Sequence, residues 1–427
     1  MKKKDGYILD VSYPIFFYKE MQALWLNSVT SFLGFKTPDI TKSFSYLELA
    51  CATGVNLIVC AINNPNANFV GVDFNKEHIQ KARKDAEFIG LKNIEFKHCD
   101  FETFLKENKQ NFDFIVNHGT FSWISPVQQK TILQIVSKFL NDLGIFYLHY
   151  MCHPGSVSLL PIQKLLSVVD SHVQDSSIKS IEVGKKLFND LNSAGAFVDN
   201  PKIDSIIKTL ENNSNSYLSH EFLTDYWNPL YSIDVHKMVF ENTKATFLGS
   251  ANPCDNIDNI SIPSKMQDIL RNIKSPVLKE YIKDLARDSK QRVDIFQKNP
   301  QIFENEEHIK TINKMSFKLL PNAPKSGSMN FKTPIGDIEA PKEVISPLLE
   351  KLAKKEIRFE ELITLTNFKN NPIFLIETIF LLMNANCLHP ISSSAKLVDK
   401  IFVKKFNEKM KEDNVKLKLL ADCGTAI

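Results

Sequence analysis

An α/β fold built on a parallel sheet is predicted by three observations. Short apolar runs near 45–50, 69–73, 94–98, 112–117 and 144–150 alternate with amphipathic segments near 55–63, 76–89 and 126–140. The runs are apolar nearly throughout, as in strands covered on both faces. The first run ends in a small-residue turn, Ala50-Cys-Ala-Thr-Gly54, and the second ends in Asp73. That is the start of a βαβ unit that holds a nucleoside at its carboxyl edge.

The other elements follow in order. Residues 13–33 carry Phe17, Met21, Leu24 and Trp25 at helical spacing and predict a helix ahead of the first strand. In the segment 76–89, Ile79, Ala82, Ala86 and Ile89 form one apolar stripe. From 156 to 242 the pattern is helical and polar, with Asn- and Ser-rich joints near 192–200 and 212–216. It predicts a helical insertion over the ligand edge. Lys244-Ala-Thr-Phe-Leu-Gly249 and Arg292-Val-Asp-Ile-Phe-Gln297 predict the last two strands of the same sheet. Residues 321–330, rich in Pro, Ser and Gly, read as a linker. Beyond it, a strand at Met329–Thr333 and helices near 341–354, 358–366 and 371–385 predict a small winged-helix-like domain, with a charged tail helix near 395–418. The expected division is 1–155, 156–242, 243–320 and 331–427.

Composition narrows the function. A chain of 427 residues exceeds one ordinary core. A net charge of +3 gives no reason to expect nucleic acid or a membrane as partner. The seven Cys are scattered without zinc spacing, so free thiols, no metal and a reducing, cytoplasmic setting are expected. Met1-Lys-Lys-Lys leads into no apolar signal core. The most apolar window, Ile373–Met383, is short and contains Glu377, which predicts a buried helix, not a membrane span. Its lack of basic residues points to a core or an apolar interface, and residues from about 330 onward are expected to serve protein contacts, either pairing in a homodimer or substrate docking, and not DNA recognition. The tail lysines Lys396, Lys400, Lys404, Lys405, Lys409, Lys411, Lys416 and Lys418 are interrupted by acids and read as a solvated face. Scarce Gly (14) beside abundant Phe (31) suggests codon bias, so the Phe content carries little functional weight.

The candidate site residues lie at strand ends. Asp73, with Phe74 after it, suits the hydroxyls of a ribose; the alternative is a helix N-cap. Asp100 and Phe101 suit the amino group and ring face of adenine; Asp100 also fits a capping role. The helix from Val55 directs free N–H groups at a ligand carboxylate. Asn117-His118-Gly119 closes the fourth strand. His118 is placed to hold a donor through its backbone, to act as a base, or to sit satisfied in the core. Trp123 packs or lines the pocket. Tyr150 and His153, at the end of the fifth strand, are further candidates, Tyr150 as catalytic. Tyr13 to Tyr18 form either a lid or a staple for the next helix. His220, Tyr226, Trp227 and Tyr231 are candidates for the pocket or for helix packing.

Together the Glu48–Gly54 turn, Asp73, Asp100-Phe101 and His118-Gly-x-x-Ser-Trp123 resemble bacterial class I methyltransferases that carry a methyltransferase regulatory domain. That group includes rickettsial lysine methyltransferases of outer-membrane protein. Asp5-Gly-Tyr through Tyr18-Lys-Glu, the Tyr150 to Gly155 turn and His220-Glu-Phe-Leu223 extend the likeness. The resemblance implies a Rossmann-like seven-stranded sheet. It implies S-adenosylmethionine bound by Glu48, Ala50, Ala52, Gly54, Asp73, Phe74, Asp100, Phe101, Asn117 and His118. It also implies methyl transfer to a protein side chain such as lysine. The chain departs from the group at Ala50 and Ala52, where Gly is usual, and at Met151 and Ser156 in the fifth-strand turn, which bear on the acceptor. A hydroxyl acceptor on a glycan or metabolite is the alternative. Two other classes share features: a nicotinamide dehydrogenase, disfavoured by the glycine spacing, and a DNA-binding or donor-sensing regulator using the C-terminal domain, disfavoured by the weak charge.

Overall fold

The computed structural model describes residues 2–392 and 398–427. Its centre is a seven-stranded sheet: β1 (Ser45–Leu49), β2 (Asn68–Asp73), β3 (Ile94–His98), β4 (Phe112–Asn117), β5 (Leu140–Met151), β6 (Ala245–Ser250) and β7 (Gln291–Lys298). The spatial order is β3-β2-β1-β4-β5-β7-β6. The first five strands run parallel, while β7 lies antiparallel between β5 and β6. The order reverses between β1 and β4, which opens a crevice beyond their carboxyl ends.

Helices cover both faces. On one lie α1 (Ala23–Phe32), α2 (Val55–Asn63) and α3 (Lys76–Ile89); on the other lie α4 (Phe101–Glu107) and α5 (Pro126–Phe139). Local sequence sets their limits. The Asn75 side chain caps α3 by accepting from the Glu77 and His78 amides, and Gly90 ends it at φ 99°. Ser125 caps α5, with Pro126 in its first turn.

The insertion comprises α6 (Leu160–His172), α7 (Ser177–Ser193), α8 (Ile203–Asn212) and α9 (Asn215–Phe222) around a core of its own, which includes Ile8. Ile8 belongs to a two-stranded hairpin, Lys3–Lys4 with Tyr7–Ile8. Lys2 and Lys3 tie that hairpin to Asp170 of α6. The next helix, α10 (Ser232–Thr243), was expected inside the insertion. It packs instead on α5, burying Val235 and Val239 in the second-face core.

Two further expectations are corrected. Only 23–32 of the span 13–33 is α-helical; residues 13–18 form an extended arm and Lys19–Met21 a single 3-10 turn. Pro14 restricts the backbone there, and Asn56 Oδ1 accepts the Tyr18 amide at 2.8 Å, so tertiary contact replaces helical bonds. The C-terminal boundary also moves. A three-stranded sheet runs in the order Ile357–Arg358, Ser316–Leu319, Leu388–Ile391. Its central strand precedes the 321–330 linker.

The helices Lys342–Leu352, Phe359–Leu362 and Pro372–Asn384 pack with this sheet as a C-terminal unit. It is not a free-standing body. Leu375, Ile379, Phe380 and Leu382 share one apolar core with Trp25, Leu26, Val29 and Val59. The apolar helix therefore has its interface within the chain. The tail helix spans Lys400–Glu412, burying Val403, Phe406 and Met410 while Lys404 and Lys411 face solvent; Lys396 lies outside the described residues. Finally, Gln22 donates to the Gly424 carbonyl at 3.0 Å and accepts from Thr425 Oγ1 at 2.8 Å.

Candidate active site

Two adjoining cavities occupy the crevice. The first is bounded by the β1 turn, the tips of β2 and β3, and the N-terminal arm. Glu48, Ala50, Ala52, Asp73, Phe74, Asp100, Phe101 and His118 all line it, with Tyr7, Tyr13 and Tyr18 above them.

The turn is left-handed at alternate residues: Ala50 at φ 61°, Ala52 at φ 46° and Gly54 at φ 73°. A Cβ at Gly54 would lie 2.5 Å from the Phe96 ring, so only glycine fits there. At 50 and 52 the alanines carry the steric cost of this conformation. The gain is geometric: the Ala52 amide points at Asp73 and donates to it at 2.9 Å.

Asp73 is buried, and its second oxygen accepts the Asn75 amide at 2.8 Å. Each oxygen retains a lone pair for a ribose hydroxyl. Asn75, not Asp73, supplies the cap of α3. Burial raises the Asp73 carboxyl above its usual range, opposed by His78. Glu48 is also buried, and its Oε2 has no hydrogen-bond partner. Burial, reinforced by Asp73, pushes its carboxyl up to about 8. An unpartnered buried acid beside the first turn of α2, where Val55 and Asn56 line the same cavity, suits a ligand carrying both an ammonium and a carboxylate. The residues therefore fit S-adenosylmethionine.

Asp100 does two things. Its Oδ1 caps α4 by accepting the Thr103 amide at 2.7 Å, which holds the carboxyl below its usual range, and the residue lines the cleft. Phe74 and Phe101 supply apolar walls; Tyr7 stands edge-on to Phe74 at 5.8 Å.

His118 lies between the two cavities. It stacks on Tyr18 at 3.7 Å and on His149 at 4.2 Å, and its Nδ1 meets the Tyr147 hydroxyl at 2.7 Å. Burial, with His149 adding, keeps it well below the usual histidine range, so it is neutral. The Gly119 amide donates to His149 Nδ1 at 3.0 Å.

Several expected site residues sit elsewhere. Asn117 is buried and donates to the Leu49 carbonyl at 3.0 Å, stitching β1 to β4. Tyr150 points to the opposite sheet face, where its hydroxyl donates to Asp294 at 2.6 Å within the second core. Side chains alternate along β5, so His149 is the residue that reaches the cavity. His153 and Tyr231 pack together at 4.8 Å and line neither cavity. Trp123 and His220 do line the second cavity. The Trp123 indole donates to the Glu221 carbonyl at 3.1 Å, and His220 Nε2 meets the Val11 carbonyl at 2.9 Å, pinning the arm.

The second cavity shares Tyr7, Tyr13, Tyr18, His118 and Gly119 with the first. It adds Lys19, Glu20 and Trp25 from the start of the chain and Glu221 from α9. Asn252 and Asp255 come from beyond β6, and Asn384 and Asn386 from the C-terminal unit. Lys19 is pinned, donating to the Met383 carbonyl at 2.7 Å over the Trp25 ring at 4.7 Å. Tyr7, Glu20, Asn56, His149, Glu221 and Asp255 were not singled out from the sequence. The strings Asp5-Gly-Tyr and His220-Glu-Phe-Leu held the available signal for Tyr7 and Glu221. Among the described residues, no group of three His, Cys, Asp or Glu could hold a metal ion.

A strand order of 3-2-1-4-5-7-6 with a nucleoside cleft at its switch point defines a class I methyltransferase fold. Residues 40–211 match a family model described as a methyltransferase domain, and residues 214–298 match a predicted methyltransferase regulatory domain. An uncharacterised protein of Synechocystis is 30% identical over 364 residues, spanning 85% of this chain and 72% of that one. An uncharacterised protein of Rickettsia prowazekii is 37% identical over 146 residues, 34% of this chain and 26% of that one. The solved structure of PKMT2 from Rickettsia typhi in complex with AdoHcy superposes with a TM-score of 0.68. It is 22% identical and covers 89% of this chain and 77% of that one, a shared fold. The chain belongs to the bacterial class I S-adenosylmethionine-dependent methyltransferases that carry a regulatory domain.

Proposed function

We propose that the chain methylates an amine, a lysine side chain of a protein. The observation that carries this reading is the lining of the second cavity. Three carboxylate residues, Glu20, Glu221 and Asp255, and the rings of Tyr7, Tyr13, Tyr18 and Trp25 surround a space that adjoins the donor cleft. Acids with aromatic faces attract a cation and shelter its aliphatic stem. Lys19 occupies the negative end of the helix Pro372–Asn384 through the Met383 carbonyl, which leaves the three carboxylate residues to meet the substrate's charge.

When bound, S-adenosylmethionine supplies a methyl group on a sulfonium, already a strong electrophile. The chain's residues then orient and desolvate. Asp73 and Glu48 fix the nucleoside and the amino-acid end, Asp100 and the Phe74 and Phe101 walls hold the base, and the stacked Tyr18 and His118 separate donor from acceptor. All seven cysteines are free, which fits a cytoplasmic setting. No helix among the described residues is long and apolar enough to cross a membrane. The test is tritiated donor incubated with lysate of cells lacking this protein, followed by mapping of the label. Label on lysine is the expected result. Label confined to glycans, metabolites or carboxyl esters would overturn the reading.

A further inference from the structure

An ammonium cannot attack a methyl sulfonium until it has lost a proton, because its lone pair is occupied. A base in the second cavity would take that proton at the point of transfer. The cavity's three histidines are poor candidates. Burial holds His149 and His220 at about 4 and His118 well below the usual range, so none retains a proton taken from an amine. The tyrosines move the other way, Tyr7, Tyr13 and Tyr18 all being raised by burial. Lys19 is committed to the Met383 carbonyl. Asp255 accepts from Ser250 Oγ at 3.2 Å and lies in the field of Arg287 and Arg292.

Glu221 is placed differently. It occupies the last turn of α9, and its carboxylate accepts a weak bond from the Tyr217 hydroxyl at 3.4 Å, one helical turn back. Its carbonyl is fixed by the Trp123 indole, so the backbone beneath it is held to the HGxxSW segment at the donor edge. We infer that Glu221 is the base that takes the proton from the acceptor ammonium, with Tyr217 setting its strength. This rests on the amine reading above.

Burial carries the Glu221 carboxyl up to about 7, with the Tyr217 bond pulling it down. That is the range in which a carboxylate is a useful base at neutral pH. The step balances. The ammonium gives one proton to the Glu221 carboxylate. The freed amine lone pair forms the N–CH3 bond as the C–S bond breaks, and its electron pair stays on sulfur. The products are S-adenosylhomocysteine, a methylammonium and a protonated Glu221, which returns its proton to solvent.

The experiment compares the full chain with Glu221→Gln, Glu221→Asp, Tyr217→Phe and Glu20→Gln. Each is assayed with tritiated donor and the same lysate from pH 5.5 to 9, and label on lysine is counted. In the native chain kcat should fall on the acid side with a midpoint near 7. Glu221→Gln should lower kcat about 10²–10⁴-fold and abolish that limb, with donor affinity by calorimetry unchanged. Glu221→Asp should recover part of the rate. Tyr217→Phe should move the limb to higher pH, because the bond that lowers the Glu221 carboxyl is gone. Glu20→Gln should raise the acceptor KM and keep the limb. Native kcat and pH profile in Glu221→Gln, with label still on lysine, would overturn this assignment while leaving the amine reading intact. A limb lost in Glu20→Gln instead would do the same. Should Glu221→Gln fail to fold, an unmoved limb in Tyr217→Phe would overturn the assignment. Label on oxygen, or none on lysine, would overturn both.

Discussion

The two cavities are built in opposite ways. The donor cleft is local: β1, its turn, α2 and β2 supply its floor from residues 45–75. Backbone conformation does most of the work there, with two alanines and a glycine in left-handed geometry and one carboxylate locking the turn. The second cavity, proposed for the acceptor, is assembled from distant segments: the arm, the end of β5, α9, the loop after β6 and the C-terminal unit. Side chains, not backbone, define it. Changes in the first should therefore act on one ligand, and changes that loosen the assembly should act on the fold.

The largest effect tests that last point. Removing residues 399–427 takes Val403, Phe406, Met410 and Leu419 out of the shared core. At about 1.5–3 kcal/mol per buried side chain, the loss is on the order of a domain's whole stability. The truncated chain should lack a cooperative melting transition. A normal transition with intact donor binding would show that the donor cleft stands alone.

Asp73→Ala comes next. Two charge-assisted bonds to a ribose, each about 1.5–3 kcal/mol, imply a loss of at least about a hundredfold in donor affinity. Asp100→Ala should cost less than about tenfold, together with about 1 kcal/mol of stability from the lost α4 cap. Calorimetry and denaturant unfolding of both variants settle the ranking; equal affinity losses would mean that Asp100 carries as much of the nucleoside as Asp73.

A pH effect of about one proton is expected from Glu48. Its carboxyl is raised, so the free chain carries the proton below about 8, whereas the bound ammonium favours the ionised form. Donor affinity should therefore rise with pH toward 8, by up to about tenfold per pH unit, and Glu48→Gln should flatten the profile. In the free chain the sign is opposite. A raised acid disfavours its ionised form in the fold, so its contribution to stability declines as pH climbs toward 8. An unchanged slope in Glu48→Gln would assign the proton to another group.

The smallest effect is Ala52→Gly. Relief of the left-handed strain is offset by the freer unfolded chain, so stability should change by less than about 1 kcal/mol and donor affinity should persist. A large affinity gain would mean that the alanine crowds the ligand.

The contrast between the cavities also explains what the sequence reveals. The β1–α2–β2 unit is legible because apolar runs, a small-residue turn and a terminal acid all lie within 30 residues. Tyr150 was misjudged because β5 is apolar on both faces; with no alternation to read, its parity with His149 was invisible. The arm was misjudged because its aromatics happen to recur at helical spacing, while its true partners, Asn56 and His220, are far along the chain. Ser316–Leu319 reads as the end of one domain because the strand it pairs with, Leu388–Ile391, comes some 70 residues later. Asp255 carries no pattern at all, and the string around Glu221 marks a resemblance without a role, since an acid acquires meaning here only from the neighbours that folding brings to it.

The bond between Gln22 and Gly424 joins positions 402 apart. On a ribosome adding about 5–20 residues per second, roughly 20–80 s separate the emergence of the two partners. During that interval α3 has its sheet-facing partners but not the tail helix, α2 lacks the strand Thr425–Ala426, and Gln22 lacks Gly424 and Thr425. The nascent chain must therefore wait with an apolar flank uncovered until residues 399–427 have left the tunnel. Chains stalled before residue 399 should be cut by protease near α3, which the tail helix covers, and chains stalled with residues 399–427 outside the tunnel should resist.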